Sequence, residues 1–287
     1  MDSHQDSKDG LSLLSDHAMP TLALLITIMV TSAVILCGCD SVVNHVVFHP
    51  DNVNIVPADQ LPDGIEEFAV TTGDGVKIQG LYLPLAESEK VLIYFHGNAG
   101  NIYHRIPGLV QLRKSGVSVV GASYRGYGNS EGTPGESGIY QDGDAVYRYV
   151  TEKLGYPKNN VIILGRSIGT TVALHLAQQH EIGGLILVTP LTSGKAHADA
   201  SGLGIIASIA DNSFDNLTKI KQVKAPLLVI HGTDDRVIPF FMGKELFDTA
   251  RTRKQFIKIE GAGHNDLQDR YGQFYWPPIA DFINNLD

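Results

Sequence analysis

A serine, an aspartate and a histidine, Ser167, Asp235 and His264, each follow a run of strand length. A hydroxyl made nucleophilic by an imidazole, itself oriented by a buried carboxylate, is the apparatus of covalent acyl transfer. Ser167 is the centre of Gly165-Arg166-Ser167-Ile168-Gly169, preceded by the apolar Val161-Ile-Ile-Leu164 and followed by the amphipathic stretch Thr170–Gln179. Strand, sharp turn and helix in that order make a nucleophile elbow, which lifts the serine hydroxyl clear of a sheet at the cost of backbone strain. Glycines are needed on both sides because a side chain there would collide with the neighbouring strand or helix.

The other two groups fall where this chemistry requires them. Ala225-Pro-Leu-Leu-Val-Ile230 reads as a strand that runs into His231-Gly-Thr-Asp-Asp-Arg-Val-Ile-Pro239. Asp235 fits the acid's place on that loop, with Asp234 as the competing carboxylate. Gln255-Phe-Ile-Lys-Ile259 is the last strand, and the Glu260-Gly-Ala-Gly-His-Asn-Asp266 loop after it carries His264. Glycines around the histidine let it reach back over the strand ends, so His264 is the expected base. Acyl transfer also needs backbone N–H groups aimed at the developing oxyanion. One donor is expected from Ile168, the residue after the serine. The other is expected from the loop Phe95-His-Gly-Asn-Ala-Gly-Asn101, by position from Asn98, with Ala99 as the alternative. His96, at the strand end, is expected to brace that loop rather than to react.

The elements that must hold these groups alternate. Glu66–Thr72 and Val76–Pro84 are β-rich runs joined by Gly73-Asp74-Gly75, the pattern of a hairpin. Lys90–Phe95, Val117–Ser123, Val161–Leu164 and Gly184–Val188 are apolar strands, separated by helical stretches at 102–114, 136–153 and 170–179. Strand and helix in turn mean parallel pairing with right-handed crossovers, hence a three-layer sandwich. Between Leu191 and Phe214 the pattern loosens into small residues, read as a lid over the site, with His197 and Asp199 as solvated lid residues. A helix at Trp276–Ile283 closes the chain.

Before the sandwich the sequence changes character. Residues 1–19 are polar and acidic, and Thr21–Gly38 is an uncharged apolar run just long enough to cross a bilayer. It ends in Leu36-Cys37-Gly38-Cys39, which resembles the lipobox of bacterial lipoproteins, with Cys39 as the lipid-bearing residue. The segment lacks the usual preceding positive charge, and Cys37 is unusual at its position, so an uncleaved anchor helix and a buried helix of the domain are the competing readings. Residues 1–40 are thus expected to be an acidic N-terminus with an apolar signal or anchor segment, 41–64 a linker, and 65–287 the catalytic domain with 191–214 as its lid. The lipoprotein and the anchor helix both give a membrane-associated protein, expected in a bacterial cell envelope; a buried helix does not. Of the 287 residues 43% are hydrophobic and 18% charged, and the net charge is -9, with no basic stripe to bind nucleic acid. The two cysteines lie in the apolar segment, so the folded part has no disulfide framework and no cysteine-ligated metal site.

Phe95–Asn101, Ser123-Tyr-Arg-Gly-Tyr-Gly-Asn-Ser-Glu-Gly132, Leu164–Gly169, His231–Pro239 and Gly261–Asn265 together resemble the α/β-hydrolase superfamily, more narrowly its Bem46-like, serine aminopeptidase-type branch. The resemblance spans about residues 65–286. It implies an α/β-hydrolase fold, in which a mostly parallel central sheet carries helices on both faces and a small lid. It also implies a Ser167–Asp235–His264 triad, Asp235 being the inward position of His-Gly-x-x-Asp in look-alike sequences, and no metal or organic cofactor. The implied activity is membrane-tethered hydrolysis of an ester or thioester, on a small-molecule or acyl substrate. A peptidase or amidase with the same triad, or a non-catalytic binding protein on the same scaffold, are the alternatives.

Overall fold

In the computed structural model the described residues are 44, 47–53, 55–203 and 213–286. The apolar segment with Cys39, and most of the second half of the expected lid, fall outside them. Among the described residues no helix is long and apolar enough to cross a membrane.

The eight-stranded sheet is built from β2 (Glu66–Thr71), β3 (Lys77–Leu83), β4 (Val91–Phe95), β6 (Ser118–Ala122), β7 (Val161–Arg166), β8 (Gly184–Val188), β9 (Leu227–Gly232) and β10 (Lys254–Ile259). Its spatial order is β10-β9-β8-β7-β4-β6-β3-β2, with β7 and β4 at the centre. From β6 to β10 all pairs are parallel, whereas the opening hairpin β2–β3 is antiparallel within itself and to β6. This is the α/β-hydrolase fold. β4, β6 and β8 are buried at every residue, as a strand covered on both faces must be.

Helices α1 (Ile106–Arg113) and α7 (Gly272–Asn284) cover one face; α2 (Glu136–Arg148), α3 (Gly169–Gln179) and α6 (Phe240–Thr249) contribute to the core on the other. Two departures from sequence expectation have physical causes. The expected helix from Ile102 begins as a 3-10 turn, Ile102–Arg105, because the Asn101 side chain and His104 form a capping box that ties the first turn tightly. The last helix starts at Gly272 rather than Trp276 and carries Pro277 and Pro278 inside it. Burial of Tyr275, Ile279, Phe282 and Ile283 along one face outweighs the backbone bonds that the prolines cannot make.

The stretch expected as a linker also differs. The compact unit begins at Val43, not at residue 65. β1 (His49–Pro50) pairs in parallel with β5 (Ala99–Gly100), inside the loop read as the oxyanion loop. Asn101 Nδ2 donates to the carbonyls of Asp51 and Val53, at 3.1 and 2.8 Å. Phe48 is buried against Phe214, ring centroids 6.3 Å apart, edge to face. These are backbone and single-aromatic contacts, which leave no periodicity in the sequence to betray them. The segment is therefore a strap. Phe48→Ala should cost about 3 kcal/mol of unfolding free energy, and Phe48→Leu less than about 1.5 kcal/mol, in urea denaturation. Equal, negligible losses would contradict the packed strap.

Candidate active site

The elbow forms where β7 gives way to α3. Ser167 has φ 55°, a left-handed conformation that an L-residue adopts only when its surroundings force it. A Cβ on Gly165 would lie 2.5 Å from the Gly169 carbonyl oxygen, and one on Gly169 would lie 2.3 Å from that of Phe95. Neither contact is physically tolerable, which is why the pattern needs glycine twice. The serine N–H is held by the Val188 carbonyl of β8 at 2.9 Å, and its own carbonyl accepts from the amide and hydroxyl of Thr170. The backbone is thereby pinned from both sides.

Ser167, Asp235 and His264 are brought together from the ends of β7, β9 and β10. His264 Nε2 lies 3.1 Å from Ser167 Oγ, and its Nδ1 lies 2.7 Å from Asp235 Oδ2. With Nδ1–H donating to the carboxylate, the Nε2 lone pair faces the serine hydroxyl. Asp235 Oδ1 accepts from the amides of Val237 and Ile238, at 2.9 and 2.8 Å. Burial pushes this carboxyl up. Hydrogen bonds from His231 and His264, with the backbone amide of Ile238, outweigh it and hold the group well below the usual carboxylate range. Asp234 is exposed and points elsewhere, so of the two carboxylates only Asp235 meets the imidazole.

Two positioning residues went unread in the sequence. His231, fully buried, places Nε2 3.4 Å from Asp235 Oδ2 and 2.9 Å from the Ile238 carbonyl. Its place at the end of a strand, four residues before the acid, was the available signal. Arg166 sends Nη2 to the His264 carbonyl at 2.9 Å and to Asn265 Oδ1 at 3.0 Å, bracing the histidine loop from the elbow itself. His197 sits on the short helix α4 (Gly194–Ala200) of the lid region, and burial, then the His264 charge, lower its pKa.

The loop after β4 lies against the serine: a Cβ on Gly97 would approach Ser167 Cβ to 3.4 Å. The Asn98 carbonyl accepts from Tyr127 Oη at 2.7 Å and from the strap amide of His49 at 3.3 Å. The Asn98 side chain donates to the Val47 carbonyl at 3.1 Å. The amides of Asn98 and Ile168 have no acceptor among the described residues, which leaves both available to a ligand. His96 is fully buried beside Tyr124 and Tyr127, and its Nδ1 donates to the Gly97 carbonyl at 2.6 Å. Among the described residues no group of three or more His, Cys, Asp or Glu side chains is placed to hold a metal ion.

Comparison with known proteins agrees with this architecture. The family model of the alpha/beta hydrolase fold matches residues 90–216. The alpha/beta hydrolase domain-containing protein 17B of Xenopus laevis is 35% identical over 216 residues, 74% of this chain and 73% of that protein. Its Homo sapiens counterpart is 34% identical over 226 residues, 77% of this chain and 76% of that protein. The chain belongs to the α/β-hydrolase family. Among solved structures, the Pyrococcus furiosus esterase Pf2001 superposes with a TM-score of 0.71 at 18% identity, covering 84% of this chain and 98% of that one.

Burial, helped by the Arg105 charge and opposed by the bond to Gly97, lowers the His96 pKa from 6.5 to about 3. The unfolded chain binds this proton near pH 6.5 and the folded one only near pH 3. His96 therefore contributes stability that is complete above pH 6.5 and is lost as pH falls toward 3, by about 1.4 kcal/mol per pH unit. His96→Asn should flatten that slope when urea unfolding is compared at neutral and mildly acidic pH. An unaltered slope would mean that His96 titrates normally.

Proposed function

We propose that the protein is a serine hydrolase that cleaves a carboxylic ester or thioester through an acyl-enzyme. The observation that carries this is the single imidazole of His264 hydrogen-bonded at once to Ser167 and Asp235. His264 Nε2 takes the hydroxyl proton as Ser167 Oγ attacks the substrate carbonyl carbon. The amides of Ile168 and Asn98 hold the resulting oxyanion, and Asp235 stabilises the imidazolium. Collapse breaks the bond to the leaving alcohol or thiol, which departs with the proton from His264. Water, deprotonated by the same imidazole, then attacks the acyl carbon; the bond to Ser167 Oγ breaks, the imidazolium returns the proton to Oγ, and the acid is released. The esterase named among the fold neighbours supports acyl transfer as the chemistry.

The N-terminal segment makes this a tethered enzyme, held at a bacterial envelope membrane either by a lipid on Cys39 or by Thr21–Gly38 as an uncleaved helix. Residues 191–214 act as the lid that selects the acyl group.

A fluorophosphonate probe should label the full chain, and Ser167→Ala should abolish labelling. No labelling of folded protein would favour a binding role. Asp235→Asn should lower kcat about 10³–10⁴-fold with little change in KM, because the imidazole then sits in the wrong tautomer. p-Nitrophenyl esters of graded chain length should be turned over in preference to aminoacyl amides; the reverse order would make the enzyme a peptidase. Cys39→Ser should release the protein from membranes if Cys39 is lipidated, and leave it bound if the apolar helix is retained.

A further inference from the structure

Beside the triad, a cavity of about 560 Å³ lies between α1, α7 and the loop that follows His264. Arg105 and Arg166 both line it, with Gln111, Gln268 and Trp276. Neither guanidinium forms an ion pair with a carboxylate among the described residues. Arg105 spends one N–H on the Ala99 carbonyl, and its Nε is buried with no partner. Arg166 uses only Nη2, on the His264 carbonyl and Asn265. Two partly buried cations with unused donors, facing one space, repel each other and are left poorly solvated. Burial, and the charge of Arg166 with it, lowers the Arg105 pKa. Asp269, the carboxylate lining this cavity, is exposed and pairs with neither arginine.

An anion resolves that arrangement. Guanidinium forks match phosphoryl and carboxylate oxygens, and donors entering from several elements suit a tetrahedral group better than a planar one. The volume lies within the range of small-molecule sites and exceeds what a bare ion needs. We propose that this cavity binds a phosphoryl group, free or esterified, between Arg105 and Arg166, and that its occupancy fixes the His264 loop which Arg166 braces. The binding stands independently of the hydrolase reading; the effect on His264 rests on it.

Trp276 is the chain's one tryptophan and forms part of the wall, so its fluorescence reports occupancy directly. The full chain is titrated at constant ionic strength with inorganic phosphate, glycerol 3-phosphate, acetate, and glycerol as the uncharged control. A saturable change is expected with a phosphoryl compound and not with glycerol or acetate. A response to phosphate alone assigns the site to the free ion, and a stronger one to the ester assigns it to a headgroup. Arg105→Gln should weaken binding about tenfold, the loss of a charge-assisted hydrogen bond. Asp269→Asn should tighten it. Gln111→Glu, a change at a half-buried position on α1 that puts a negative charge in the cavity, should abolish the response even if Arg105→Gln fails to fold. A response shared with glycerol or acetate, or unchanged in folded Arg105→Gln and in Gln111→Glu, would overturn the site. Saturating ligand should alter kcat on a neutral ester in wild type and not in Gln111→Glu. Binding without any change in kcat would overturn the link to His264. Failure of Ser167 to label, with the titration intact, would instead overturn only the hydrolase reading.

Discussion

The left-handed backbone of Ser167 is the constraint around which the rest of this structure is arranged. At φ 55° the residue is strained, and it stays there because β7 and α3 leave it no alternative. Gly165 packs against the first turn of α3, Gly169 against the end of β4, and Val188 on β8 holds the serine amide. Three neighbouring strands and one helix thus converge on a single peptide. The strain amounts to roughly 1–3 kcal/mol. It is offset by a core in which β4, β6 and β8 expose no residue to solvent.

From that peptide outward, the site is a set of loops at one edge of a parallel sheet, each secured by a different kind of interaction. Asp235 is secured electrostatically, by two imidazoles and two backbone amides around one carboxylate. The His264 loop is secured by Arg166, which links the neighbour of the nucleophile to the backbone of the base. The loop holding Asn98 is secured by polar contacts, from Tyr127 on the loop after β6 and from the strap ahead of β2. Because the pieces share partners, a change at Arg166 or in the strap is felt at the serine without touching it.

Much of this was legible in the amino-acid order. Buried parallel strands are continuous apolar runs, so the sandwich could be read directly; Ser167 and Asp235 each follow such a run, and His264 follows the half-exposed edge strand β10, at loops where glycines permit the approach. What escaped reading had no periodic or compositional trace. The strap at 47–53 is too short and too polar to announce a strand, and its binding is by backbone groups and one phenylalanine. His231 and Arg166 sat in plain view within the motifs, but their roles depend on contacts made only in the folded chain, His231 with Asp235 four residues on and Arg166 with the His264 carbonyl 98 residues on. The long final helix was hidden by Pro277 and Pro278, whose local cost is overridden by tertiary burial.

That His264 makes the Ser167 hydroxyl a nucleophile is tested by trapping the covalent intermediate. The full chain is mixed with a slowly deacylating p-nitrophenyl ester, quenched in acid within milliseconds and digested for mass spectrometry. A burst of p-nitrophenol matched by one acyl group on Ser167 is expected, both lost in His264→Ala. Turnover with no burst and no adduct while deacylation is slow, or an acyl group on any other residue, would contradict it.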